Sequence, residues 1–138
     1  AIEGFCTYRL GIQTDEKRRR FFLDINDALD AMQEAIDAND MKRFINYDHQ
    51  FHLAIVKSAR NHEFDQIFQR LMYLIHLTTK SAIEIPGRLE ETVQEHVSYV
   101  NLLKNRDTTE AYHLMMKHLM MPIELLENNF PDEEDMPW

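Results

Sequence analysis

Cysteine is nearly missing from this sequence. Cys6 is the only one in 138 residues, so no disulfide can form within the chain, and a reducing, cytoplasmic setting is expected. Glycine and proline are also scarce, at three and four, which argues against a linker or a disordered tail and for one compact domain with a core of its own. No apolar run approaches the roughly 20 residues of a membrane span, so no membrane partner is expected. Positive charge is in deficit: 15 lysines and arginines against 24 acids leave a formal charge of −9. The single basic run, "EKRRR" at 16–20, stands among acids and reads as a solvated face, so direct binding of nucleic acid by this segment is not expected. A signal-peptide pattern and an initiator methionine are absent as well. The chain opens at "AIEGFCTYRL", already helix-like and without a capping residue, and is expected to continue a protein whose N-terminal part lies elsewhere.

What is present is helical periodicity along almost the whole length, with no competing strand pattern. The few turn signals divide it into about six helices. The first runs to about Gln13, and Thr14 followed by Asp15 and Glu16 caps the second, whose inner side carries Phe21, Phe22, Ile25, Leu29, Met32 and Ile36. Asp40 caps a third helix reaching about Ala59, and Asn61 caps a fourth with Phe64, Ile67, Phe68, Leu71, Met72 and Ile75 turned inward. Pro86 and Gly87 break the chain before a fifth helix over roughly Leu89 to Lys104; a sixth starts after Asp107, and Pro122 is expected to end or kink it. Residues 1–129 thus read as an all-α bundle and 130–138 as an acidic, proline-bearing tail.

Within the third helix, "NYDHQFHLAIVKSARNHEF" places Phe44, Asp48, Phe51, His52 and Ile55 on one face. An unpaired carboxylate on a core face must protonate, find a counter-charge or bind a metal. The fifth helix turns His96 toward the side of Val93, Val97 and Val100, and the sixth turns His118 toward Ala111, Leu114 and Met115. Asp48 and His52, one turn apart, can chelate an ion from one helix while His96 and His118 close the site from two others. A lone histidine on an apolar face is ordinarily a satisfied core residue; the set of four, with an acid among them, points to a metal. His49 is turned about 100° from Asp48, His113 sits on the far side of its helix from His118, His62 lies beside the cap of the fourth helix, and His76 stays open as an outer partner of the set.

Three segments match a known pattern: "DHQFH" fits D-x-x-F-H, "EHVSYVNLLKNRD" fits E-H followed by an apolar helix and a turn, and "AYHLMMKHL" fits A-x-x-x-M-x-x-H-L. Together, in order, they resemble the C-terminal effector domain of FadR-type regulators in the GntR superfamily, the FCD domain, from "IEGFCTYRLG" to about His118. The resemblance implies an antiparallel helical bundle, a homodimer, an effector pocket beside the metal, and a winged-helix DNA-binding domain preceding Ala1. It matches Asp48, His52, His96 and His118 to the family's metal ligands one for one, and retention of all four looks like the branch that senses small acids. Three departures stand out: Gly11 replaces the usual alanine, Pro122 follows His118 closely, and the acidic tail has no counterpart in the pattern.

One Asp and three neutral His around a divalent ion leave about +1 in a dry cavity with open positions. Zinc is the expected ion, with nickel and manganese as alternatives. Such a site should draw a small carboxylate, hydroxy acid or sugar acid, with Thr92 and Tyr99 near His96, and Lys80 and Arg88 beside the chain break, as candidates to hold its other end. Two other readings use the same ligands. A helical metallohydrolase would need a general base, and none is evident, because Glu95 is turned about 100° from His96. A purely structural metal would sit in a closed site. The expectation is a sensing domain and not an enzyme.

Overall fold

The computed structural model describes residues 1–129, and these form six helices: α1 (Ile2–Ile12), α2 (Asp15–Asp37), α3 (Met41–Lys57), α4 (His62–Ile83), α5 (Arg88–Lys104) and α6 (Thr108–Asn129). There is no strand among the described residues. The acidic tail expected over 130–138 lies outside them.

The starts follow local chemistry. Thr14 accepts from the Lys17 amide, Asp40 from Arg43, and Asn61 from both Glu63 and Phe64, each satisfying donors that the first helical turn leaves without partners. The ends are less ordinary. With glycine so rare, the left-handed residues that close α2 and α5 are Asn39 and Arg106, followed by the amide-to-carbonyl bonds Asp40 to Ala35 and Asp107 to Leu102 of a Schellman turn. Only Gly87, with φ of 82°, uses glycine's freedom, at the break that sets the entry of α5.

α2 packs along α3, α5 along α6, and α1 lies across α3 and α6. The core between them includes Leu10, Ile25, Met32, Phe44, Phe51 and Leu103, all fully buried. Gly11 is explained by α1 meeting the start of α6: a Cβ there would lie 2.1 Å from Thr108 Oγ1.

Two expectations need correction and one is narrowed. Arg18 is not on a solvated face but buried, with its guanidinium donating to the carbonyls of Leu10 (3.3 Å) and Leu103 (2.9 Å), so that it ties the ends of α1 and α5 to α2. Of the two outcomes expected at Pro122, ending α6 is excluded, since the helix runs on to Asn129; the proline costs the His118 carbonyl its intrahelical donor, but burial of Leu126 holds the turns beyond it. On α4, Phe68 faces the core as expected, whereas Ile67 and Leu71 are exposed.

Candidate metal centre

Asp48 and His52 are brought inward by the apolar face of α3, where Phe44, Phe51 and Ile55 anchor the helix. His96 is set by its ring lying flat on Phe51, centroids 3.8 Å apart at 3°. His118 enters from α6. All four are buried; the three histidines come together, with Asp48 beside His52 and His96. Asp48 Oδ1 lies 3.6 Å from His52 Nε2 and 3.3 Å from His96 Nε2; His118 Nε2 lies 3.0 Å from His96 Nε2 and 3.3 Å from His52 Nε2. Donors about 2.0–2.1 Å from one tetrahedral ion stand roughly 3.3 Å apart, so the three histidines, whose ligand nitrogens all lie within 4.8 Å of one another, are compatible with a shared cation.

Proton accounting says the same. His52 Nδ1 bonds Glu3 Oε1, and His118 Nδ1 donates to Glu95 Oε2 at 2.5 Å. A carboxylate accepts, so each Nδ1 carries the hydrogen and each neutral ring turns a bare Nε2 inward. The buried Asp48 Oδ1 has no hydrogen-bond partner among the described residues. Lone pairs aimed at one another across about 3 Å are stable only around positive charge. The residues present therefore fit a divalent ion.

Without an ion, protons must supply that charge. Burial pushes the His52 imidazole down, but Glu3 and Asp48 on either side outweigh it and hold it well above its ordinary value. Burial and the neighbouring His118 hold His96 well below its own, so it stays neutral. For Asp48, burial opposes ionisation, yet the surrounding histidines keep its carboxyl far below the usual range. Glu95 is likewise disfavoured by burial but held down at about 2 by hydrogen bonds from His118 and Arg88.

A cavity of about 230 Å³ opens beside the cluster, reaching Asp48, His52 and His118 and bounded by α4, α5 and α6. A larger groove of about 730 Å³ between α2 and α3, lined by Asp24, Asp27, Arg43 and Tyr47, is open to solvent and contains none of the four residues. Of the residues expected to hold an effector, Arg88 and Thr92 line the smaller cavity. Arg88 is buried and grips Glu95 with both terminal nitrogens, at 2.5 and 2.9 Å. Tyr99 and Lys80 do not line it. Tyr99 is fully buried on nearly the same face as Thr92 but two turns farther along α5, with its hydroxyl bonded to Thr7 Oγ1 at 2.8 Å, and Lys80 is exposed. Helical spacing put Tyr99 near the face of His96 but could not resolve how far along that face the cavity reaches.

The sequence reading missed Glu3 and the part played by Glu95. For Glu3 a signal existed: Glu3, Thr7 and Leu10 share one side of α1, an acid on a buried stripe. Glu95 was judged by its angle to His96, whereas its partner, His118, stands on another helix. His49 is buried against His76, with ring centroids 5.3 Å apart, away from the four.

A model of the FCD domain matches residues 1–120. The chain belongs to the FCD-domain family. No curated protein compared with it matches. An FCD domain is the ligand-sensing part of a GntR-family regulator, and the buried cluster of His52, His96 and His118 is compatible with a metal site in that setting. No helix of the described residues is long and apolar enough to cross a membrane.

Proposed function

We infer that this FCD domain senses a small organic acid at a metal centre held by Asp48, His52, His96 and His118, and that the bound acid adjusts a GntR-type regulator's hold on DNA. The observation that carries this reading is the gathering of the buried His52, His96 and His118, with Asp48 beside them and three of the four lining a cavity. A divalent ion there, zinc first and nickel or manganese next, would leave about +1 and an unfilled position for an anion. Glu3 and Glu95 aim the imidazoles, Arg88 adds positive charge at the cavity wall, and the Thr92 hydroxyl, which donates to the Arg88 carbonyl at 2.8 Å, keeps its lone pairs free for a ligand.

The metal is not merely a staple on this reading, because the donors border open space rather than a closed shell. Nor is hydrolysis favoured. The two nearest carboxylates outside the donor set are already committed, Glu3 to His52 and Glu95 to Arg88 and His118, which leaves neither placed as a general base. DNA is contacted through a winged-helix domain and not by this acidic bundle, which works in the cytoplasm as a homodimer. The acid transmits its signal only if it binds one arrangement of the helices better than another; it touches α3, α5 and α6 together, so it can.

Elemental analysis of protein purified without chelator should find one divalent transition ion per chain, and His96→Ala or His118→Ala should lose it. A screen of acids by thermal shift should raise the melting temperature of the loaded protein, since a ligand at 100 times its Kd adds about 2.7 kcal/mol. Metal-free protein whose stability ignores EDTA would defeat the metal centre. Turnover of an ester or phosphoester by loaded protein that no acid stabilises would defeat the sensing role.

A further inference from the structure

The cavity has two unlike ends. One is ionic: Asp48, His52 and His118 with Arg88 beside them. The other is hydrocarbon, built by Phe68, Ile75, Ala82 and Ile83 of α4 and by Leu119 and Ile123 of α6. Phe68, Ala82 and Ile83 are themselves buried, so much of this end is the inner surface of the core, while Leu74 carries it out to the surface. Hydroxyls are few, and two have spent their protons within their own helices: Thr78 donates to the Leu74 carbonyl at 3.1 Å and Thr92 to that of Arg88. Pro122, on the same wall, has no N–H to offer.

From this the geometry points to a monocarboxylic acid with an apolar body, an aromatic or branched aliphatic chain of modest length, as the effector class, in preference to a polyhydroxy or tricarboxylic acid. This inference rests on the reading of the site as an acid sensor. The carboxylate occupies the ionic end, where it meets the Arg88 guanidinium and the cation-binding cluster. The body lies along Ile75, Ile83 and Ile123 and is taken out of water. A sugar acid entering the same space would exchange most of the water around its hydroxyls for isoleucine and phenylalanine, with only the oxygens of Thr78, Thr79 and Thr92 on the lining to accept from them. A second or third carboxylate would be stranded at the hydrocarbon end, where no cation lines the wall. Size agrees: an apolar cavity of about 150 Å³ holds benzene, so about 230 Å³ holds a ring together with its carboxylate.

The test is calorimetric titration of metal-loaded protein with acetate, butanoate, hexanoate, benzoate, gluconate and citrate. Affinity should rise roughly three- to fourfold per added methylene until the cavity is full, and benzoate should bind more tightly than gluconate or citrate. Ile123→Asn, at a half-buried position, should weaken hexanoate and benzoate by about tenfold while leaving acetate unchanged, because acetate reaches only the ionic end. Ala82→Leu, which fills the hydrocarbon end, should do the same. Gluconate or citrate binding more tightly than hexanoate and benzoate would overturn the apolar-body assignment and leave the acid sensor standing. A flat affinity across the aliphatic series would do so too. Failure of every acid, acetate included, would overturn both.

Discussion

Glu3 and Glu95 bond no ion in the proposed centre, yet each fixes which nitrogen its histidine presents. Replacing either with glutamine keeps size and shape but permits the amide to donate, so His52 or His118 can flip its hydrogen to the inward nitrogen. Loss of such an outer partner typically costs 10–100-fold in metal affinity, and Glu95→Gln should do so in a chelator-competition titration with little change in the helical signal. Unaltered affinity would mean that packing alone orients the ring. Glu95 further carries a pH signature. Its carboxyl is held at about 2 in the fold against an ordinary 4.5, so the stability it contributes is present above about 4.5 and is lost as pH falls toward 2. Cys6 shows the opposite sign. Burial, with Glu3 adding to it, pushes its thiol up to about 11 from 9.0, so the folded chain loses stability as pH rises from about 9 to 11. At pH 8 the native thiol should resist a disulfide reagent that reacts at once in denaturant; rapid reaction without denaturant would show that α1 opens readily.

Helix by helix, the contact between α1 and α6 is set by the smallest side chain. Gly11→Ala would drive a methyl into Thr108, whose Oγ1, Cγ2 and Cβ stand 2.1, 2.4 and 2.8 Å from the added carbon. The expected cost is about 1–3 kcal/mol, read as a fall in denaturant midpoint. Thr108→Ala should recover only part of it, since it removes Oγ1 and Cγ2 and leaves Cβ in the way; full additivity of the two changes would show that the helices simply move apart. This scale also separates what was legible in the sequence from what was not. Caps and breaks are local, so Thr14, Asp40, Asn61 and Gly87 could be read directly, and the spacing of Asp48, His52, His96 and His118 followed from one helical period. Contacts between helices are not local. The pairing of Glu95 with His118, the burial of Arg18 against two helix ends, and the placing of Tyr99 against Thr7 depend on rotations of one helix about another that periodicity leaves open. At Pro122 the sequence left two outcomes open, an end or a kink; propensity opposed the helix, and burial of Leu126 carried it on.

Across the whole molecule, the residues that broke the inward pattern form a surface of their own. Ile67, Leu71 and Leu74 are exposed along α4 at helical spacing, as are Phe5, Tyr8 and Ile12 along α1. The Phe5 ring stands edge-on to Phe64, 5.6 Å between centroids, and so joins the two helices. An apolar face of this kind is the natural seat for a second copy. Two chains of −9 repel, so association should tighten as salt rises, opposite to an interface built on ion pairs. Sedimentation should give twice the 16.5 kDa chain mass, and Ile67→Glu with Leu71→Glu should give the chain mass alone while keeping the metal. Dimerisation that survives both changes would move the interface elsewhere. Leu74 makes the connection to sensing, because it belongs to this exposed row and also lines the cavity. An acid filling the cavity presses on the wall that carries the row, so the dimer dissociation constant should differ between acid-bound and acid-free protein. By linkage, the Glu variants should then bind the acid with an affinity changed by the same factor. Equal dimer constants with and without acid would mean that the signal leaves the bundle by another route.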